Sequence, residues 1–249
     1  MVTVSRIPEA TGAGGSVVAG VDGCRGRWLC VWGDPARPSG MRAALLDTPH
    51  ALERLRPLPA VVGVDIPIGL PGDAPREADR AARRLLGRPR GSSVFPAPLR
   101  CMLQAPDYAT ACQLGRDRCG RALSRQSWNI LPLIRAMDAY LLECPARPGW
   151  VQEVHPELGF MVWNDGVPMA RGKKTPQGRA ARLGLVEAAL PGALSAARAS
   201  LGAMHCPGDD LLDALAAFGI AARIAMGRAL RLPDPPERDA LGLPMCITC

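Results

Sequence analysis

Val61–Ile68 reads VVGVDIPI, a run that is apolar at nearly every position and carries a single charge, Asp65. It is too short for a stable helix and rich in β-branched residues, so it is predicted to be a strand. Without polar alternation it suits a strand covered on both faces. Such a strand needs helices on each side, which restricts the chain to layered α/β folds. Pro67 lacks an amide donor and is expected to mark the strand's end.

The rest of the chain supplies those layers. Ser16–Asp22 (SVVAGVD) is a short Val-rich strand, Gly23–Gly26 a turn, and Arg27–Trp32 a second strand closing a hairpin. Met41–Leu46 is a third strand, and Thr48–Leu55 a short helix with Thr48 as N-cap. Three meandering strands, a helix and a buried strand imply a mixed sheet. Helices are expected over Arg76–Leu86, Tyr108–Gly115, Leu131–Leu142 and Arg179–Leu190, and a fifth strand over Val151–His155. Asp209 is the expected N-cap of a last, alanine-rich helix over Leu211–Met226, buried against the sheet. Residues 1–15 read as a loose tail, without the charged head and apolar stretch of a secretory signal. Residues 16–249 read as one domain, with an insertion or cap over about 71–148.

Two strands end in the same tripeptide, Gly20-Val21-Asp22 and Gly63-Val64-Asp65. Side chains alternate along a strand, so each glycine shares a face with its aspartate and leaves space beside it. An aspartate ending an apolar strand is costly unless a cation or strong donors compensate it. The last helix adds Asp210 and Asp213, one turn apart on one face. Asp22, Asp65 and one of Asp210 or Asp213 therefore form a candidate oxygen-rich site for Mg²⁺ or Mn²⁺. Two such ions, roughly 3.5–4 Å apart, activate water and stabilise the leaving oxygen of a phosphodiester. Turn formation at Asp22, capping at Asp209 and solvation at Asp213 are the structural alternatives.

Glu153-Val154-His155-Pro156-Glu157 is the other dense polar cluster; Glu153 and His155 share a strand face and are candidate catalytic residues. Arg25, Arg76, Lys174 and Arg179 are candidate substrate-binding cations, against solvated loops as the alternative for the last two. Ser92 and Ser93 lack a partnering base. Cys246-x-x-Cys249 has no second pair and reads as a frayed tail, not a zinc site. Nine cysteines, an odd number at irregular spacing, read as reduced thiols in a cytoplasmic protein. The net charge of +7 favours an anionic partner, although it is spread along the chain and is nearly all Arg. No apolar run is long enough to cross a bilayer.

GVDGCRGRW, VGVDIPIGLP, Arg76–Arg83 (RxxDxxAR), SSVFPAP, SRQSWNI, EVHPE, KKTPQGR, DDLLDA and GLPMCI occur in an order that resembles one family. It is the family called domain of unknown function 429, described as predicted RNase H-like nucleases, and the resemblance runs from about Val18 to Ile247. It implies an RNase H-like α/β fold with acidic positions at Asp22, at Asp65 and at Asp210 or Asp213, and Glu153 as a further candidate. The long stretch Pro71–Pro148 implies a cap, suited to a small or single-stranded substrate.

Three functions follow as expectations. The first is a metal-dependent phosphodiester hydrolase acting on nucleic acid or a phosphorylated small molecule. The second is a phosphotransferase of the actin and sugar-kinase type, because Asp22–Gly26 is similar to their phosphate loop, although the usual hydroxyl residue is missing. The third is a non-catalytic nucleic-acid-binding module, disfavoured by an aromatic content of only 4%.

Overall fold

The structure is a computed structural model that describes residues 16–204 and 206–249. The expected tail over residues 1–15 lies outside the described residues. The elements run β1 (Val18–Cys24), β2 (Arg27–Gly33), β3 (Arg42–Leu46), β4 (Val61–Val64), α1 (Glu77–Arg90), α2 (Tyr108–Cys119), α3 (Arg125–Asn129), α4 (Leu131–Leu142) and α5 (Arg147–Trp150). They continue with β5 (Val151–Glu153), α6 (Pro156–Trp163), α7 (Pro176–Ala189), α8 (Ala193–Leu201), α9 (Gly208–Ala225), β6 (Arg231–Arg238) and β7 (Pro244–Thr248).

Five strands form the mixed sheet of an RNase H-like α/β fold, in the order β3-β2-β1-β4-β5. β1 pairs antiparallel with β2 and parallel with β4, and β4 pairs parallel with β5. Arg25 and Gly26 both have positive φ, 52° and 78°, which closes the β1–β2 hairpin in two residues. The helical insertion between β4 and β5 holds α1 to α5. Helix α4 turns Leu131, Ile134, Met137 and Leu141 into the same core as Val21, Val62 and Val64, covering one face of the sheet.

Helix α9 covers the other face and is buried almost throughout, from Leu211 to Ala222. The parallel register sets Gly20 beside Gly63. A methyl group on Gly20 would stand 2.1 Å from the Phe218 amide nitrogen and 2.2 Å from the Ala214 carbonyl oxygen. One on Gly63 would stand 2.9 Å from the Ala217 carbonyl oxygen. The space beside each aspartate is thus filled by the helix backbone.

Several boundaries differ from expectation. β4 ends at Val64, before Asp65 rather than at Pro67, because the chain leaves the ladder once Asp65 has donated its amide to Val21. α9 opens at Gly208 with Pro207 at the cap position, so Asp209 is a first-turn residue and not the N-cap. Residues 49–54 form a 3₁₀ turn instead of an α-helix. The Cys246-x-x-Cys249 segment is not a frayed tail. β7 pairs antiparallel with β6, and Thr248 bridges to Val154 beyond the sheet's edge. Cys246 and Cys249 are 8% and 1% exposed. β6 contains Pro233, Pro235 and Pro236, which suit only an unpaired edge, and this obscured it in the sequence. No helix among the described residues is long and apolar enough to cross a membrane.

Adding a methyl group at Gly20 would force α9 off the sheet. Gly20→Ala is expected to lower stability by about 3 kcal/mol, the upper end for an overpacked core. Gly184→Ala, on an open face of α7, should instead raise it by about 0.5–1 kcal/mol. Urea midpoints of the two variants against the parent chain would check both signs.

Candidate active site

The two strand-end aspartates emerge on the α9 face of the sheet, at adjacent positions just past the Val21–Val64 pairing. Asp213, on the first turns of α9, is 3% exposed. All three line one cleft of about 260 Å³. Its opposite wall comes from the insertion, with Phe95, Pro96, Gln126 and Ser127. SSVFPAP and SRQSWNI are therefore site-forming segments. Phe95 keeps 40% of its surface exposed there.

Charge is crowded in this cleft. Burial, then the neighbouring Asp65 and Asp213 carboxylates, push the Asp22 carboxyl well above the usual range. Burial pushes Asp65 up to about 7 and Asp213 up to about 6, with Lys173 opposing both shifts. The Asp22 Oδ1 accepts a 2.7 Å hydrogen bond from the Gly23 amide. Lys173 Nζ donates to Asp213, and its charge faces Asp22 and Asp65 as well. Burial works against the Lys173 ammonium, but these three carboxylates hold its pKa above the ordinary lysine value.

Lys173 is the cleft lysine, whereas Lys174 is absent from the lining. Arg182 decides this. Its guanidinium is 1% exposed, donates to Glu157 at 2.6–3.2 Å, and also holds the Arg171 carbonyl at 3.0 Å. The lysine loop is thereby pinned against α6, and Thr175 Oγ1 caps α7 through the Gly178 amide. Neither Lys173 nor Arg182 was distinguishable as such in the sequence, although the KKTPQGR motif held the first.

Other expected site residues have different work. Arg76, a candidate substrate-binding cation, is 2% exposed and committed within the fold. Its guanidinium donates to both Glu153 oxygens at 2.7 Å and to Asp79 at 2.5 and 3.1 Å. Glu153 also accepts from the Ile68 amide at 2.7 Å, and Asp79 from the Ala97 amide at 2.9 Å. Glu153 borders the cleft, but its oxygens are satisfied by Arg76 and Ile68, so it is a positioning group. This network ties the exits of β4 and β5 to α1 and to the cleft wall. Removing one partner of such a pair costs about 3–5 kcal/mol, because it strands a buried charge.

His155 also lines the cleft, with both ring nitrogens engaged. Nδ1 accepts from the Glu157 amide at 3.2 Å, so Nε2 carries the proton and lies 3.4 Å from the Ser93 carbonyl. Burial lowers its pKa, which keeps it neutral. Arg179 pairs with Asp209 at 3.6 Å outside the cleft lining, and Arg25 sits exposed at the hairpin tip. Of the two helix acids left open by the sequence, Asp213 enters the cleft, while Asp210 turns towards Cys24. Among the described residues, one group of three His, Cys, Asp or Glu side chains has its ligand atoms all within 4.8 Å of one another. It is Cys24, Cys206 and Asp210, not the three cleft aspartates.

The raised carboxyls have a sign that can be measured. Asp65 titrates near pH 7 when folded, against about 3.9 in an unfolded chain. Between these values the native state holds a proton that the unfolded chain has released. Stability from this group is therefore full below about pH 4 and is lost as pH rises towards 7. Asp65→Asn should flatten that decline. Urea midpoints from pH 5 to pH 8 would reveal it, and identical pH profiles for the two proteins would contradict it.

No match was found among curated proteins or among solved structures. The family model described as "Protein of unknown function (DUF429)" matches residues 20–238. With most of its length covered, including the cleft aspartates, Lys173 and the Arg76–Glu153 network, the chain belongs to that family.

Proposed function

We propose that this protein is a metal-dependent phosphodiester hydrolase. The observation that carries the reading is the crowding of Asp22, Asp65 and Asp213 in one cleft, with each carboxyl raised and a single lysine facing all three. Three crowded carboxylates, one of them buried and two half-buried, exceed what one ammonium neutralises. A hard divalent cation favours this donor set, since Mg²⁺ and Mn²⁺ take carboxylate and water oxygens. Asp22, Asp65 and Asp213 would hold it. When bound, such an ion supplies Lewis-acid polarisation of a phosphoryl oxygen and lowers the pKa of water.

The chain's own groups account for the rest. Lys173, held in place by the Arg182-pinned loop, offers a positive charge to a phosphate oxygen at the cleft. Arg90 also lines the cleft and has a buried Nε without a hydrogen-bond partner among the described residues. Phe95 offers an exposed ring for stacking a base, an interaction worth about 1–3 kcal/mol. Neutral His155 orients the Glu157 backbone and takes no proton. The walled cleft of about 260 Å³ favours one nucleotide unit or a single-stranded end over a duplex.

Mn²⁺- or Mg²⁺-dependent cleavage of single-stranded DNA or RNA oligonucleotides tests the reading. Asp22→Asn should lower the rate by more than the roughly 10–100-fold typical of outer-shell partners of a metal. Its far-UV spectrum should stay that of the parent. Retained cleavage in that variant, or no metal-dependent hydrolysis by the parent on oligonucleotides or nucleotides, would remove the proposal. Phe95→Ala should raise KM about tenfold, as expected for one lost base stack, with a smaller change in kcat.

A further inference from the structure

We infer that Cys24, Cys206 and Asp210 form a second cation site, beside the aspartate cleft and chemically distinct from it, that takes Zn²⁺. The site goes beyond the proposed hydrolase reading and does not depend on it.

Three observations on unrelated parts of the chain converge here. Cys24 closes β1 and is 1% exposed, on the same face as Gly20 and Asp22. Cys206 lies in the irregular segment before α9 and is half-buried. Asp210 stands in the first turn of α9. The two sulfurs are 3.2 Å apart although 182 residues separate them, and an Asp210 oxygen lies within 4.8 Å of both. Among the described residues no other pair of thiols is in hydrogen-bond contact.

The distance distinguishes the chemistry. A disulfide needs about 2.0 Å between sulfurs, so these thiols are unbonded. A tetrahedral Zn²⁺ with bonds of about 2.3 Å holds two sulfurs roughly 3.8 Å apart. Opening the pair by about half an ångström would admit the ion, and Cys206 has no helix or strand restraining it. Two thiolates and one carboxylate are a borderline-soft set that selects zinc over magnesium. The half-buried side at Cys206 leaves room for water as the fourth ligand and a path for entry. Binding transfers two thiol protons to solvent as two Zn–S bonds form. The ion would tie the end of β1 to the start of α9, the two elements that carry Asp22 and Asp213.

The test uses the full chain, reduced, stripped of metal with a chelator, and titrated with Zn²⁺ against a chromophoric competitor. One equivalent should bind, and Co²⁺ in its place should give a thiolate-to-cobalt charge-transfer band. Cys24→Ser and Cys206→Ser should each abolish the band and weaken Zn²⁺ by at least about 100-fold, more than an outer-shell partner would. Asp65→Asn should keep both signals, since it alters only the aspartate cleft. If the buried Cys24 variant does not fold, the accessible Cys206 variant decides. Failure of the reduced protein to bind Zn²⁺, equal affinity in Cys206→Ser, or loss of binding in Asp65→Asn alone would each overturn the site. No outcome here bears on oligonucleotide cleavage, so this site and the hydrolase reading can fail separately.

Discussion

The backbone of α9 lies directly on the sheet at Gly20 and Gly63, and the geometry of the cleft follows from that contact. With less than a methyl group's room between them, the helix start has little freedom to slide or lift. That fixes Asp213 against the two strand-end aspartates. The same glycines that permit the contact precede those aspartates by two residues, so each strand carries a packing surface and a charge on one face. A side chain at either glycine would separate the acids as surely as it would separate the layers.

Buried ion pairs then position the walls. Arg76 gathers Glu153 and Asp79, and through them the Ile68 and Ala97 amides, so the β4 exit and the insertion share one anchor. Arg182 does the same for the lysine loop and α6. Arg100 bonds Asp138 and Asp239, while Asp239 also accepts from the Leu70 amide. Each arginine offers a planar fork of donors that satisfies carboxylate and carbonyl oxygens together, which a lysine could not. The polar motifs of this chain are thus largely scaffolding, and the residual charge is left in the cleft.

Two corners of the α9 face differ in their chemistry. The cleft proper gathers the carboxylates of Asp22, Asp65 and Asp213, opposed by Lys173. One turn earlier, Asp210 faces thiols instead. The three aspartates in the first turns of α9, Asp209, Asp210 and Asp213, therefore go to three environments: an arginine at the surface, a thiol pair, and the cleft.

The sequence by itself determined the layered α/β class and the mixed sheet, because apolar periodicity and β-branched runs reflect burial that each segment needs wherever it lies. It also determined that Asp22 and Asp65 are out of the ordinary, since a charge ending an apolar strand calls for compensation. It left open which helix acid joins them, and it assigned Arg76, Glu153 and His155 to chemistry. Those matters depend on partners far apart in the chain, such as Glu153 for Arg76 or Glu157 for Arg182, and local pattern carries no record of them. Only the tertiary structure decided that Lys173 and not Lys174 enters the cleft, that the proline-rich C-terminal segment pairs as a hairpin, and that Cys24 meets Cys206. The physical reason is that burial is written into each segment, whereas electrostatic pairing arises only when the segments meet.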